Sequence, residues 1–114
     1  AGDGEPGGAD DAERLTLSQE ETARRVTVRV SGELVSNSVE RFSSFVENVA
    51  AATRKPVEID FSECSFIDSF ALSRLNAIRK RLKTKKHTFY ITGMKPSTRK
   101  IFEITKLDRL FDIR

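Results

Sequence analysis

Between Pro56 and Leu82 the apolar residues change period, and no other feature of the chain constrains its fold as strongly. Pro56-Val57-Glu58-Ile59-Asp60-Phe61 alternates apolar and polar residues, the pattern of a half-buried strand. Ala71, Leu75, Ile78 and Leu82 then recur at i, i+4, i+7 and i+11, one face of a helix. The intervening Ser65-Phe66-Ile67-Asp68-Ser69-Phe70 puts Asp68 and Ser69 at the helix N-terminus. Unpaired N–H groups and the positive end of the helix dipole favour an anion there by about 0.3–1 kcal/mol at an exposed site. Asp and Ser are also the commonest helix caps, each contributing about 1 kcal/mol with no further role. The junction therefore suits a phosphorylation switch and plain capping alike, and the rest of the chain must decide between them.

The 114 residues, 38% of them hydrophobic, suit a single domain that buries about two thirds of its unfolded-chain surface. No apolar run reaches the length of a membrane span, and no basic start followed by an apolar block marks a signal peptide. The lone Cys64 can form no internal disulfide, which agrees with a reducing cytoplasm, and its residue type suits a small core position better than a nucleophile. Residues 1–11 combine Gly2, Gly4, Gly7, Gly8 and Pro6 with four acids and no aliphatic residue larger than Ala. A disordered acidic tail is expected there, with the folded domain over residues 12–114. Charge follows the same division. Residues 1–21 carry seven acids and one base, net −6, while residues 22–114 carry nineteen bases and ten acids, net +9. Gly2-Asp3-Gly4-Glu5 is not a phosphate loop, because no strand precedes it and no Gly-Lys-Ser/Thr follows.

Leu15 to Ser18 reads as a short strand and Val26, Val28 and Val30 as a second, with a hairpin across Gln19 to Arg24 and Gly32 ending the second strand. Asn37-Ser38-Val39-Glu40 has the form of a capping box with Asn as the cap. The helix after it places Val39, Phe42, Val46 and Val49 on one face, with Phe45 beside them, and stops near Thr53 ahead of Pro56. His87 to Thr92 reads as a strand and Gly93 as a turn. Pro96 starts a last helix with Ile101, Phe102, Ile104 and Leu107 on its apolar side, and Leu110, Phe111 and Ile113 form a short strand or terminal turn. This order predicts an α/β fold, a mixed β-sheet of four to five strands with helices packed mainly on one face.

Three segments in this order resemble the STAS domain of the anti-sigma factor antagonist type, over nearly all of residues 13–114. They are Val28-Arg29-Val30-Ser31-Gly32-Glu33-Leu34; Ile59-Asp60-Phe61-Ser62 with Phe66-Ile67-Asp68-Ser69 and Leu72; and Lys95-Pro96-Ser97-Thr98-Arg99-Lys100-Ile101-Phe102. The resemblance implies that Ser69 is phosphorylated by a partner that is both anti-sigma factor and serine kinase. It implies that only the unphosphorylated form binds that partner, releasing a sigma factor, and that a serine phosphatase resets the switch. Asp68 would hold the switch loop and help present the Ser69 hydroxyl, and Asp60 would orient a loop by accepting a hydrogen bond. Partner contact would fall to Glu33, Leu34, Val35, Ser36, Asn37, Phe66, Phe70, Leu72, Ser73 and Met94. The resemblance further implies a cytoplasmic protein, monomeric alone, with no enzymatic activity, cofactor, metal, membrane insertion or direct nucleic-acid contact. Phe70 and Ala71 depart from the family's Asp-Ser-Ser-Gly-Leu, and Val35 stands where an acid is usual. Asp-Ser-Phe is similar to scaffold STAS subunits of stress-signalling assemblies, which supplies a second reading; a transporter-associated STAS subunit is a third. Whether Phe70 turns outward or into the core is left open by its sequence.

Two other classes can be weighed on the residues. No acid occurs between Ser69 and Phe102, a span with Arg74, Arg79, Lys80, Arg81, Lys83, Lys85, Lys86, Lys95, Arg99 and Lys100, so a positive field is expected. These bases ring the helix, and only Phe89 and Tyr90 could stack on bases, so a solvated basic surface is favoured over a nucleic-acid site. His87 is the sole histidine and begins a strand far from Ser69, which argues against a Ser-His-Asp arrangement, and Glu58, Asp60 and Asp68 have no Cys/His cluster to join in holding a metal.

Overall fold

The computed structural model describes residues 15–114, so the expected acidic tail lies outside the described residues. Strands β1 (Leu15–Glu21) and β2 (Val26–Leu34) form an antiparallel hairpin with Leu15 opposite Gly32 and Glu21 opposite Val26. Helix α1 (Val39–Ala52) leads to β3 (Val57–Ile67), and α2 (Ser69–Thr84) to β4 (Phe89–Thr92). The chain closes with α3 (Pro96–Ile104), a 3-10 turn (Leu107–Arg109) and a parallel bridge from Ile113 to Ile91. β3 runs parallel to both β2 and β4, giving a mixed four-stranded sheet in the order β1-β2-β3-β4.

The alternating residues Val26, Val28 and Val30 of β2 and Val57, Ile59 and Phe61 of β3 are buried. They share one core with Phe42, Val46 and Val49 of α1 and with Leu75, Ile78 and Leu82 of α2. The Phe42 and Phe61 rings meet at 6.4 Å, and Phe111 packs edge-on against Phe89 and Phe102. Intervening strand residues point the other way. That face is polar and internally paired: Glu58 accepts from Thr27 (2.9 Å) and Thr92 (2.6 Å) and meets Arg25 (2.9 Å), while the Arg114 guanidinium lies 4.0 Å from the centre of the Tyr90 ring.

Several local expectations are corrected. β2 does not end at Gly32 but continues to Leu34, because Gly32, at φ 108°, accommodates an irregularity in the ladder to β3. The residue capping α1 is Ser38, not Asn37, and its side chain makes no cap bond; its hydroxyl is turned back into the preceding loop. Glu40 pairs with Arg74 of α2 instead of completing a capping box. The fourth strand starts at Phe89, since the His87 N–H is used to close α2 on the Leu82 carbonyl (2.8 Å). Ile104 is 71% exposed: the buried stripe of α3 is Thr98 and Phe102, and a residue two further on is turned by about 200°.

Candidate functional site

β2 and β3 finish side by side, Glu33 opposite Phe66 and Leu34 opposite Ile67, and the chain leaves them in two directions. Asp68 holds the departure together. Its N–H donates to the Leu34 carbonyl (3.2 Å), one carboxylate oxygen accepts from the Ala71 N–H (2.8 Å), and the other accepts from the Ser36 N–H (3.0 Å). The side chain thus caps α2 and also pins the loop that enters α1. Buried Ser38 completes that loop: its hydroxyl accepts from the Val35 N–H (3.0 Å) and lies within donating distance of the Glu33 carbonyl (2.9 Å).

The strand that delivers Asp68 is irregular. Burial along β3 has a period of two as far as Phe61 and of three from Phe61 through Cys64 to Ile67. Register shifts against β2 between Arg29 and Ser31 and between Gly32 and Glu33 insert the extra residues in β3. Strict alternation would have turned Glu63 and Ser65 inward. The bulges bury Cys64 instead and leave Glu63, Ser65 and Phe66 outside. Asp60 braces the first bulge by accepting from the Ser62 N–H (2.8 Å), and it lies 3.6 Å from Arg29. Gly93 crosses directly over this point: a Cβ there would come within 2.9 Å of Asp60 Oδ1 and of Ser62 Cβ, at a φ of +69°. Only glycine meets both demands at low cost. Burial pushes the Cys64 thiol pKa up, its Sγ lies 3.6 Å from the Phe66 carbonyl oxygen, and the side chain packs as part of the core.

Ser69 is the first residue of α2 and is exposed, and its hydroxyl has no hydrogen-bond partner among the described residues. With the Ala71 N–H taken by Asp68, the N–H groups of Ser69 and Phe70 remain without an intrahelical acceptor. Phe66 and Phe70 stand on either side of Asp68 and Ser69 in sequence, 50% and 70% exposed, so Phe70 turns outward. On its other side Ser69 lines a cavity of about 260 Å³ with Leu72, Ser73, Asn76, Thr105 and Leu107. Of the expected contact residues, Ser36, Asn37, Phe66, Phe70 and Ser73 are exposed, and Glu33, Val35 and Met94 are half-buried. Leu34 and Leu72 face the core, because Leu34 ends the buried stripe of β2 and Leu72 packs with Leu75 beneath α2. Asn76 and Thr105 have no expected role in the sequence, and Gly93 and Leu107, expected as a turn and as an apolar helix position, also fall at the site. Asn76 alone carried a signal, standing seven residues after Ser69 on the same helical face.

His87 lies beyond the far end of α2, about 24 Å from Ser69 along a sixteen-residue helix, so no Ser-His-Asp arrangement forms around Ser69. No group of three or more His, Cys, Asp or Glu side chains among the described residues could hold a metal ion. None of the described helices is long and apolar enough to cross a membrane. Three of the bases in the acid-free span are neutralised locally, Arg74 by Glu40, Arg81 by Glu47 and Arg99 by Glu103.

The family model for the STAS domain matches residues 16–114, and the chain belongs to that family. The fold is similar to the crystal structure of an anti-sigma factor antagonist from Mycobacterium paratuberculosis, at 27% identity over 87% of this chain and 84% of that one, with a TM-score of 0.77. It is also similar to the Bacillus cell fate determinant SpoIIAA in its phosphorylated form (20% identity, 87% and 91% of the two chains, TM-score 0.64). A third similar structure is a variant of RsbS from Moorella thermoacetica (20% identity, 86% and 85%, TM-score 0.71).

Proposed function

We propose that this protein is an anti-sigma factor antagonist whose exposed face around Ser69 binds an anti-sigma factor that is also a serine kinase, and that phosphorylation of Ser69 ends the interaction. The observation that carries the reading is the unbonded, exposed Ser69 hydroxyl on a junction already locked by Asp68. A phosphate there adds about −1.5 to −2 charge at neutral pH. The first-turn N–H groups of α2 favour an anion, so the domain itself has little reason to rearrange. The partner's surface, in contrast, would have to desolvate that charge beside Asp68, and an unpaired buried charge costs about 3–5 kcal/mol. Binding follows the uncharged state, and a serine phosphatase restores it. The role is regulatory, exercised by a protein that is monomeric alone and catalyses nothing itself.

The test is incubation with the purified cognate kinase and ATP, followed by mass mapping. One phosphate on Ser69, absent from Ser69→Ala, is expected. Ser65 and Ser73 are the exposed competitors, whereas Thr98 is buried. A phosphate that persists in Ser69→Ala would defeat the assignment. The exposed Phe66 and Phe70 favour one second reading, a subunit of a scaffold assembled from STAS domains, since exposed aromatic pairs commonly anchor interfaces. Light scattering of the mixture with a homologous STAS scaffold decides it: a stable large particle supports the scaffold reading, and two separate species exclude it.

A further inference from the structure

The cavity beside Ser69 is followed by a second one farther along α2. α2 presents Ser69, Ser73, Asn76, Arg79 and Lys83 at successive turns toward the C-terminal segment, and Lys86 follows just beyond its end. The first three line the cavity with Thr105 and Leu107; the last three, with His87, line a second cavity of about 380 Å³ floored by Phe89 and Leu110. Between them Arg79 Nε donates to Asn76 Oδ1 (3.0 Å). Together the two cavities follow the sixteen-residue helix, about 24 Å, the reach of about seven extended residues.

The second cavity carries unneutralised charge. Arg79, Lys83 and Lys86 pair with no carboxylate among the described residues, and the one acid of the lining, Asp112, is held by Arg114 (2.9 Å). Bases in the last turn also complement a helix dipole, which accounts for Lys83. It does not account for Lys86. α2 ends in a motif whose paired bonds, His87 N–H to Leu82 O and Lys86 N–H to Lys83 O, place Lys86 in the left-handed region at φ 61°. Glycine or asparagine is the usual occupant of such a position. Lys106 has the same backbone conformation (φ 62°), so the conformation alone marks no function; what Lys86 adds is a third base, beside Arg79 and Lys83, on the lining of the second cavity.

We propose that the two cavities between α2 and the C-terminal segment together dock an acidic, extended segment of the protein that engages Ser69, its carboxylates lying against Arg79, Lys83, Lys86 and His87. The proposal rests on the reading of Ser69 as the contact and modification site and adds the chemistry of the partner. The occupant is a peptide segment and not a small anion because the basic cavity is followed along α2 by an uncharged one that includes Ser69, a span that no small anion covers. Phe89 and Leu110 would take apolar residues alternating with the acids.

The probe is a fluorescein-labelled synthetic peptide alternating Glu and Leu, followed by anisotropy against the full chain. Binding that weakens steeply with salt is expected. Lys83→Glu combined with Lys86→Asn should weaken it at least tenfold; Asn suits the left-handed backbone, so the fold is kept, as circular dichroism can verify. Lys95→Glu with Lys100→Asn, the same charge change away from the cavities, should alter it less than twofold. No binding at low salt, or equal loss in both pairs, would overturn the proposal, the second by reducing it to net charge. A chain lacking residues 1–14 that binds the probe at least tenfold more tightly would also overturn it, by showing that the chain's own acids fill the cavities. No kinase enters this measurement, so failure of Ser69 phosphorylation is recognised separately, in the mass mapping.

Discussion

At the N-terminal end of α2 a single residue, Asp68, holds the end of β2 through its N–H and the loop into α1 and the first turn of the helix through its carboxylate. At the C-terminal end the backbone closes on itself through Lys86 and His87, and charge accumulates with few partners. Shape is set by a side chain's hydrogen bonds at one end and by main-chain hydrogen bonds at the other. Where a side chain holds the shape, a charge added next to it is felt mainly by whatever docks there; where the main chain holds the shape, side chains are free to vary in charge at little structural cost. The first end suits a switch and the second an electrostatic anchor.

The largest expected effect lies at the first end. Ser69→Glu should lower affinity for the anti-sigma partner by a hundredfold or more, about 2.7 kcal/mol, with circular dichroism and melting near those of the unaltered protein. Isothermal calorimetry showing undiminished affinity, or weak binding caused by unfolding, would break the contrast between a rigid site and a responsive partner. Asp68→Ala comes next. Losing the α2 cap and leaving the Ser36 N–H without its acceptor should cost about 2 kcal/mol in urea unfolding. A loss below 0.5 kcal/mol would mean that Asp68 does not hold the junction.

At the other end the bond from Arg81 holds the Glu47 carboxyl below its ordinary value of 4.5, aided by Ser43 and opposed by partial burial. A depressed carboxylate pKa stabilises the fold above the unfolded value, and that contribution disappears as pH falls through the folded value. Glu47→Gln should therefore cost about 0.5–1 kcal/mol at pH 7 and close to nothing at pH 3, and thermal melts at the two pH values check the sign. A cost that is the same at both would assign the effect to packing. The smallest effect is expected from Phe70→Ala, which should leave stability within about 0.5 kcal/mol, as for exposed substitutions generally, while weakening partner binding. A large fall in melting temperature would show that the ring supports the fold.

The strands, helices and junction were legible because they depend on neighbours a few residues apart. The alternation of Val26, Val28 and Val30, the helical spacing of Ala71, Leu75, Ile78 and Leu82, and the Asp-Ser pair between strand and helix all appear in the structure where the pattern put them. The second half of β3 was not legible. From Ser62 to Phe66 the side chains follow the ladder with β2, whose register shifts no local period announces. That Ser38 and not Asn37 caps α1 was hidden for the same kind of reason, since the deciding partners of Ser38 are carbonyl and N–H groups of its own loop as folded.

The sequence by itself determined the element order, the buried faces and the position of Ser69 at a helix start, because periodicity and capping act over one or two turns. Tertiary structure alone decided that Phe66 and Phe70 face outward, that both oxygens of Asp68 are taken, that Gly93 must pass Asp60 without a side chain, and that Ser69 and Lys86 line neighbouring cavities along α2. Each of these depends on which distant backbone lies alongside, and that is set by strand pairing and core packing across more than thirty residues of chain, as in the bond from Ser36 to Asp68.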